Sequence, residues 1–117
     1  MEDRYLPDGE VTELVVEDLE VGDGFEAMPG ATVTVHYTGW LASDGKVFDT
    51  SLSSGKPITF PLGHVIAGWQ EGIPGMRENG KRRLIIPSDM AYGPGGTGSI
   101  PPNADLVFEV ELIKVGK

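Results

Sequence analysis

Apolar and polar residues alternate with a period of two along most of the chain. In ATVTVHYTGWL, Val33, Val35 and Tyr37 interleave with Thr32, Thr34, His36 and Thr38, the pattern of a strand with one buried and one polar face. His36 falls on the polar face, which explains it without a function. In DLVFEVELIKV, Leu106, Phe108, Val110 and Leu112 share one face while Glu109 and Glu111 share the other. Further strands are predicted at Glu13 to Asp18, Val47 to Asp49, Ile58 to Phe60 and Arg82 to Ile86, with Gly, Pro, Asn and Asp punctuating the gaps. Pro61 cannot donate to a ladder and is expected at a strand end or edge. Only HVIAGWQEGIPGM has a helical period, with Val65, Ile66, Trp69 and Ile73 on one face before Pro74 stops it. The predicted fold class is α+β: a twisted antiparallel sheet with one face covered by one short helix. Met1 to Val11 shows no period and is expected to form an N-terminal arm, residues 1–11, ahead of one domain over 12–117.

Length and charge narrow what such a domain can bind. At 117 residues the chain suffices for a single hydrophobic core. Nine Lys and Arg stand against 18 Asp and Glu, a formal charge of -9, which argues against nucleic acid or an anionic membrane as partner. No window is long and apolar enough to span a bilayer, and MEDRYLPDGE lacks the basic and apolar regions of a signal peptide. The expected location is therefore cytoplasmic. Without cysteine there is no disulfide framework, thiol nucleophile or thiolate metal site. His36 and His64 lie far apart and outside any ligand pattern, so no metal and no cofactor are expected. The one basic run, Lys81-Arg82-Arg83, leads into a predicted strand and reads as a solvated strand end.

One loop carries a motif that must be weighed. In AYGPGGTGSIPP, Gly93, Gly95 and Gly98 match G-x-G-x-x-G, the spacing of a dinucleotide-binding turn. That turn works because a helix opens at its end and offers free N–H groups to phosphate. Here Pro101 and Pro102 follow, and they hold the residues before them extended and lead into a strand. A phosphate cradle is thereby disfavoured, and the motif reads as a mobile loop bracketed by Tyr92 and Ile100.

Tyr37, Phe48, Phe60, Val65, Ile66, Trp69, Tyr92, Ile100 and Phe108 are the candidates for the space between sheet and helix. They are rich in rings although aromatic residues make up only 8% of the chain. Each also reads as core, Phe60 and Phe108 most of all. Asp49 shifts the weighting, because a carboxylate beside rings in KVFDTS must be hydrogen-bonded or functional. It could equally cap the turn Asp49-Thr50-Ser51. The residues alone thus describe an apolar, aromatic pocket with few polar groups and no nucleophile, suited to a compact uncharged ligand.

The segments VHYTGWL, GKVFDTS, PLGHVIAGWQEGIPGM, GKRRLIIPSDMAYG and SIPPNADLVFEVELIKV occur in one order between Val11 and Val115. In that order and spacing the chain resembles the FKBP-type peptidyl-prolyl isomerases, the family that binds the macrolides tacrolimus and rapamycin. The resemblance implies a curved antiparallel sheet wrapped around a short helix. It implies catalysis of X-Pro bond rotation in folding proteins, with proline-containing polypeptides as substrates and macrolides as inhibitors. The implied pocket is walled by Tyr37, Phe48, Ile58, Phe60, Val65, Ile66, Tyr92, Ile100 and Phe108 and floored by Trp69. Asp49, the Ile66 N–H and the Tyr92 hydroxyl are its implied polar contacts, and Asp49, Tyr92, Trp69 and Phe48 its implied catalytic set. AYGPGGTGSIPP becomes the flap over that pocket. Three features depart from many members: Ile58 replaces an aromatic wall residue, Met90 replaces a tyrosine, and the flap is short with no aromatic or histidine between Gly93 and Ser99. No dimerisation helix or inserted domain is evident, so a monomer is expected. The alternative is a non-catalytic module that binds proline peptides or a partner through the same pocket.

Overall fold

The computed structural model describes residues 5–7 and 9–116. Its elements are β1 (Val15–Glu20), β2 (Thr32–Leu41), β3 (Val47–Thr50), β4 (Ile58–Pro61), α1 (Ala67–Gly72), β5 (Lys81–Ile86) and β6 (Leu106–Val115). The two segments with the longest alternation, β2 and β6, pair antiparallel from Val33 opposite Val115 to Leu41 opposite Leu106. They form the middle of a sheet ordered β1-β5-β6-β2-β3. The free edge of β2 is shared: β3 takes Thr38 to Trp40 and β4 takes Thr32 to Val35. Pro61 closes β4 on this edge, where its missing N–H breaks no ladder bond. The α+β expectation holds, with the sheet curling around α1.

Alternation sorts the two faces as the sequence requires. Val33, Val35, Leu84, Ile86, Leu106, Val110 and Leu112 are all buried toward α1, whereas Glu109 and Glu111 lie on the outer face opposite Arg83 and Lys81. Helix α1 sits close to β5 because two glycines face it. A Cβ on Gly68 would lie 2.6 Å from the Ile86 side chain, and one on Gly72 would lie 2.8 Å from that of Leu84.

Three details differ from the sequence reading. Strand β1 starts at Val15 and runs to Glu20, two residues later than expected, in a register that sets Glu17 opposite Arg83 and Asp18 opposite Arg82. The helix is shorter than its apolar pattern, for Val65 (φ −109, ψ 176) and Ile66 (φ −60, ψ 155) are extended and precede its first turn. Leu62–His64 form a separate 3-10 turn before them. Arg82 is not a solvated strand end: it is buried, its Nε donates to Asp18 (2.7 Å), and its Nη1 donates to the carbonyls of Gly72 (2.8 Å) and Pro74 (3.2 Å). Its guanidinium thus satisfies carbonyls at the end of α1 that the helix leaves free.

Of the expected arm at 1–11, residues 1–4 and 8 lie outside those described. The Tyr5 carbonyl accepts the Trp40 indole N–H (2.8 Å), and the Arg83 guanidinium stands 4.5 Å from the centre of the Tyr5 ring. Arg83 also bonds Glu17 (3.1 Å) and Glu109 (3.0 Å), so this cation-π contact adds to a charge network on the outer face.

Candidate active site

Trp69 projects from α1 toward the inner face of the sheet and is only 4% exposed. Three rings stand edge-on to it: Tyr37 of β2 (5.3 Å, 86°), Phe60 of β4 (5.5 Å, 83°) and Phe108 of β6 (5.3 Å, 84°). Phe48 of β3 in turn meets Phe108 edge-on at 5.5 Å. Edge-to-face pairs exploit the ring quadrupole and contribute about 0.5–1.5 kcal/mol each beyond area burial. Four strands and the helix are thereby tied to one aromatic bowl.

Backbone irregularities aim the remaining wall. In the β2–β3 register Gly39 faces Asp49 and Trp40 faces Val47, which leaves Phe48 bulged out of the ladder. Phe48 and Phe108 then close over Gly39, where a Cβ would fall 2.7 Å from one ring and 2.6 Å from the other. Val65 and Ile66, extended ahead of α1, pack on the rim of the cluster. Gln70 Nε2 donates to the Val65 carbonyl (2.7 Å), and the Ile66 carbonyl accepts the N–H groups of Trp69 (3.0 Å) and Gln70 (3.1 Å).

The flap resolves the G-x-G-x-x-G motif. No helix follows it: Gly93–Gly95 form a 3-10 turn, and Thr97 and Ile100 exchange both backbone bonds, at 2.9 and 2.6 Å. Gly96 (φ 64) is obligatory there, because a Cβ would lie 2.4 Å from the Ile100 carbonyl oxygen. This tight loop presses Ile100 into the core cluster, and Met90 and Ala91 pack beside it. Tyr92 stays 40% exposed and Ile58 37% exposed.

The polar group of the bowl is Asp49. Its Oδ2 accepts the Tyr37 hydroxyl at 2.5 Å, while the carboxylate itself lies at the exposed surface of β3. Burial raises the Tyr37 pKa far above the ordinary tyrosine value, and the hydrogen bond to Asp49 and its negative charge raise it further. Tyr37 therefore remains a neutral donor. Asp49 does not cap the turn after it, for Thr50 Oγ1 accepts the Leu52 N–H instead (3.1 Å). The indole N–H of Trp69 is buried and has no partner among the described residues.

The structure thus buries Tyr37, Trp69, Ile100 and Phe108 in one cluster, packs Phe48, Phe60, Val65 and Ile66 against it, ties Asp49 to it through Tyr37, and leaves Ile58 and Tyr92 exposed outside it. Ser51 was missed by the sequence reading: it is one of the few buried polar residues, and its Oγ accepts the Tyr37 N–H (2.8 Å). Its only signal was a place in the run Asp49-Thr50-Ser51, where a turn accounted for it.

A family model described as FKBP-type peptidyl-prolyl cis-trans isomerase matches residues 24–113. The chain belongs to that family. An FK506-binding protein of Neisseria meningitidis serogroup B is 56% identical over 87% of this chain and 95% of its own length. Peptidyl-prolyl cis-trans isomerase FPR2 of Saccharomyces cerevisiae is 52% identical over 92% of this chain and 78% of its own. The crystal structure of FkpA from Escherichia coli superposes with a TM-score of 0.83 at 46% identity, covering 88% of this chain and 48% of that one. The FKBP-type domain of this protein is an isomerase of X-Pro peptide bonds.

Proposed function

We propose that the bowl over Trp69 takes the proline ring of an X-Pro segment and that the same bowl binds macrolides of the tacrolimus and rapamycin type. The observation that carries the reading is the Tyr37–Asp49 hydrogen bond set into an otherwise apolar ring of aromatic side chains. Rotation about a peptide bond crosses a barrier of ~18–20 kcal/mol set by amide resonance, and no bond forms or breaks. The planar amide carries extra negative charge on its carbonyl oxygen, which water stabilises. The twisted amide has lost that resonance and is less polar. Phe48, Phe60, Trp69 and Ile100 exclude water from the bond and so favour the twisted state over the planar one. Trp69 and the rings around it grip the proline. The Ile66 N–H and the Tyr92 hydroxyl hold the substrate backbone, while Asp49, fixed by Tyr37, orients the polar side of the ligand. Each ~1.4 kcal/mol of preference for the twisted state gives a factor of ten in rate.

Exchange of a Leu-Pro peptide, followed with and without rapamycin, tests this. Uncatalysed exchange takes roughly 10–100 s, so acceleration by micromolar protein, abolished by rapamycin, is the expected result. Rapamycin binding to folded protein that leaves exchange at the uncatalysed rate would replace catalysis with the binding-module alternative.

A further inference from the structure

Past Thr50 the chain turns away from the sheet, and both backbone polar groups of Tyr37 face the place it vacates. Ser51 fills that place. Its N–H donates to the Tyr37 carbonyl (2.9 Å) and its Oγ accepts the Tyr37 N–H (2.8 Å), so a side-chain oxygen takes the rung that a strand carbonyl would otherwise hold. The same Oγ lies 3.0 Å from His36 Nδ1 and 3.3 Å from the Tyr37 carbonyl. Ser51 is 1% exposed, so water has no access to stand in for it. Thr50 adds a second fastening, its hydroxyl bonding the Tyr37 carbonyl (3.2 Å) and the Thr38 hydroxyl (2.8 Å). At its far end Tyr37 carries the hydroxyl that holds Asp49.

We propose that Ser51 is a positioning residue of the isomerase site, acting through Tyr37 on Asp49, and that His36 sets the direction of its hydroxyl. The inference rests on the pocket reading given above. Its contacts run from His36 Nδ1 to Ser51 Oγ, to the Tyr37 N–H, and from the Tyr37 hydroxyl to the Asp49 carboxylate. With the imidazole proton on Nε2, the Ser51 hydroxyl donates to Nδ1. With the proton on Nδ1, the imidazole donates to Oγ and the hydroxyl turns to the Tyr37 carbonyl. Both arrangements leave an Oγ lone pair for the Tyr37 N–H. The hydroxyl is therefore the indispensable element, and His36 chooses between its two orientations. Without it a buried N–H is left unpaired, and β3 can shift against β2 at the point where Tyr37 meets Asp49. Small displacements of this kind are costly where a group must be held in a productive geometry.

The test combines Ser51→Ala, His36→Phe and Tyr37→Phe in the full chain. Ser51→Ala is expected to lower kcat/KM on a Leu-Pro peptide roughly tenfold and to move the Cζ NMR resonance of Tyr37, which reports the hydrogen bond of its hydroxyl. In a Tyr37→Phe background the same change should alter kcat/KM by no more than about twofold, because the link to Asp49 is already gone. His36→Phe keeps the acceptor and removes only its outer partner, so a loss of about two- to threefold is expected with a smaller shift of the same resonance. An unmoved Tyr37 resonance in both variants, or an equal loss of activity with and without the Tyr37 hydroxyl, overturns the proposal. Should Ser51→Ala fail to fold, His36→Phe decides by the same two readouts. Wild-type turnover is measured separately: an inactive wild type removes the proposed function, while the Tyr37 resonance still tests the inference.

Discussion

The Tyr37 hydroxyl donates to Asp49 Oδ2 across 2.5 Å, joining a buried ring on β2 to an exposed carboxylate on β3. Because burial, then the bond to Asp49 and its charge, raise the Tyr37 pKa above the ordinary value of 10.0, the folded state keeps the phenol proton where the unfolded chain releases it. The associated stability is complete below about pH 10 and declines as pH rises above it, by up to ~1.4 kcal/mol per pH unit. Tyr37→Phe lacks this alkaline decline while losing about 0.5–1.5 kcal/mol at neutral pH. Denaturant unfolding of both proteins at neutral pH and between about pH 9 and 11 checks it. Parallel alkaline slopes for wild type and variant would show that Tyr37 is not the group responsible.

Trp69 and Asp49 should separate stability from activity. Trp69 is buried against three rings, so Trp69→Ala should lose ~3–5 kcal/mol of stability together with turnover. Asp49 is an exposed carboxylate whose partner is the Tyr37 hydroxyl. Asp49→Val should lower turnover and weaken macrolide binding while costing only the Tyr37 hydrogen bond, about 0.5–1.5 kcal/mol, well below the loss for Trp69→Ala. Thermal melts paired with exchange rates decide the matter: a large melting loss for Asp49→Val with normal turnover would reverse the two roles.

What the sequence made legible follows from the kind of signal each residue leaves. Period-two alternation exposed β2 and β6, because their inner faces are apolar at every second position and their outer faces are not. The rings of the bowl were legible for the same reason, being too numerous on inner faces for the chain's aromatic content. Arg82 and Ser51 were not. Each is polar yet buried, and each is made acceptable only by partners distant in sequence: Gly72, Pro74 and Asp18 for Arg82, His36 and Tyr37 for Ser51. Local pattern cannot reveal a partner that only the fold supplies. The overlong helix has a different cause, since Val65 and Ile66 are apolar on account of the rim they build, which happens to continue the helical period.

Glycines offer a sharper test of the close approaches that shape the bowl. Gly39→Ala would drive a Cβ into the rings of Phe48 and Phe108, and Gly68→Ala would drive one into Ile86. Overpacking of this kind costs about 1–3 kcal/mol. Gly39→Ala should also reduce turnover, since the rings it displaces belong to the bowl. Gly95→Ala is the control, for no atom of the described residues lies within 4 Å of its Cβ position. Equal melting temperatures for Gly39→Ala and Gly95→Ala would mean that the rings move aside without strain.

The flap should depend on its anchors and not on its tip. Thr97 engages Ile100 through backbone groups alone and its side chain is exposed, so Thr97→Ala should leave turnover close to wild type. Tyr92 is exposed; Tyr92→Phe keeps the ring and removes the hydrogen bond proposed to substrate, an expected loss of about 0.5–1.5 kcal/mol in transition-state binding. Ile100 is buried in the core cluster, so Ile100→Gly removes apolar wall at ~25 cal/mol per Å² and leaves a cavity in that cluster. It should lose more turnover than Tyr92→Phe and should also melt lower. The exposed apolar side chain of Ile58 and the net charge of -9 both disfavour an acidic residue before proline, so Leu-Pro and Phe-Pro peptides should turn over faster than Glu-Pro. Exchange rates for the three variants on a Leu-Pro and Glu-Pro pair test these expectations together. A Thr97→Ala loss exceeding those of Tyr92→Phe and Ile100→Gly would transfer the grip on substrate from the anchors to the tip.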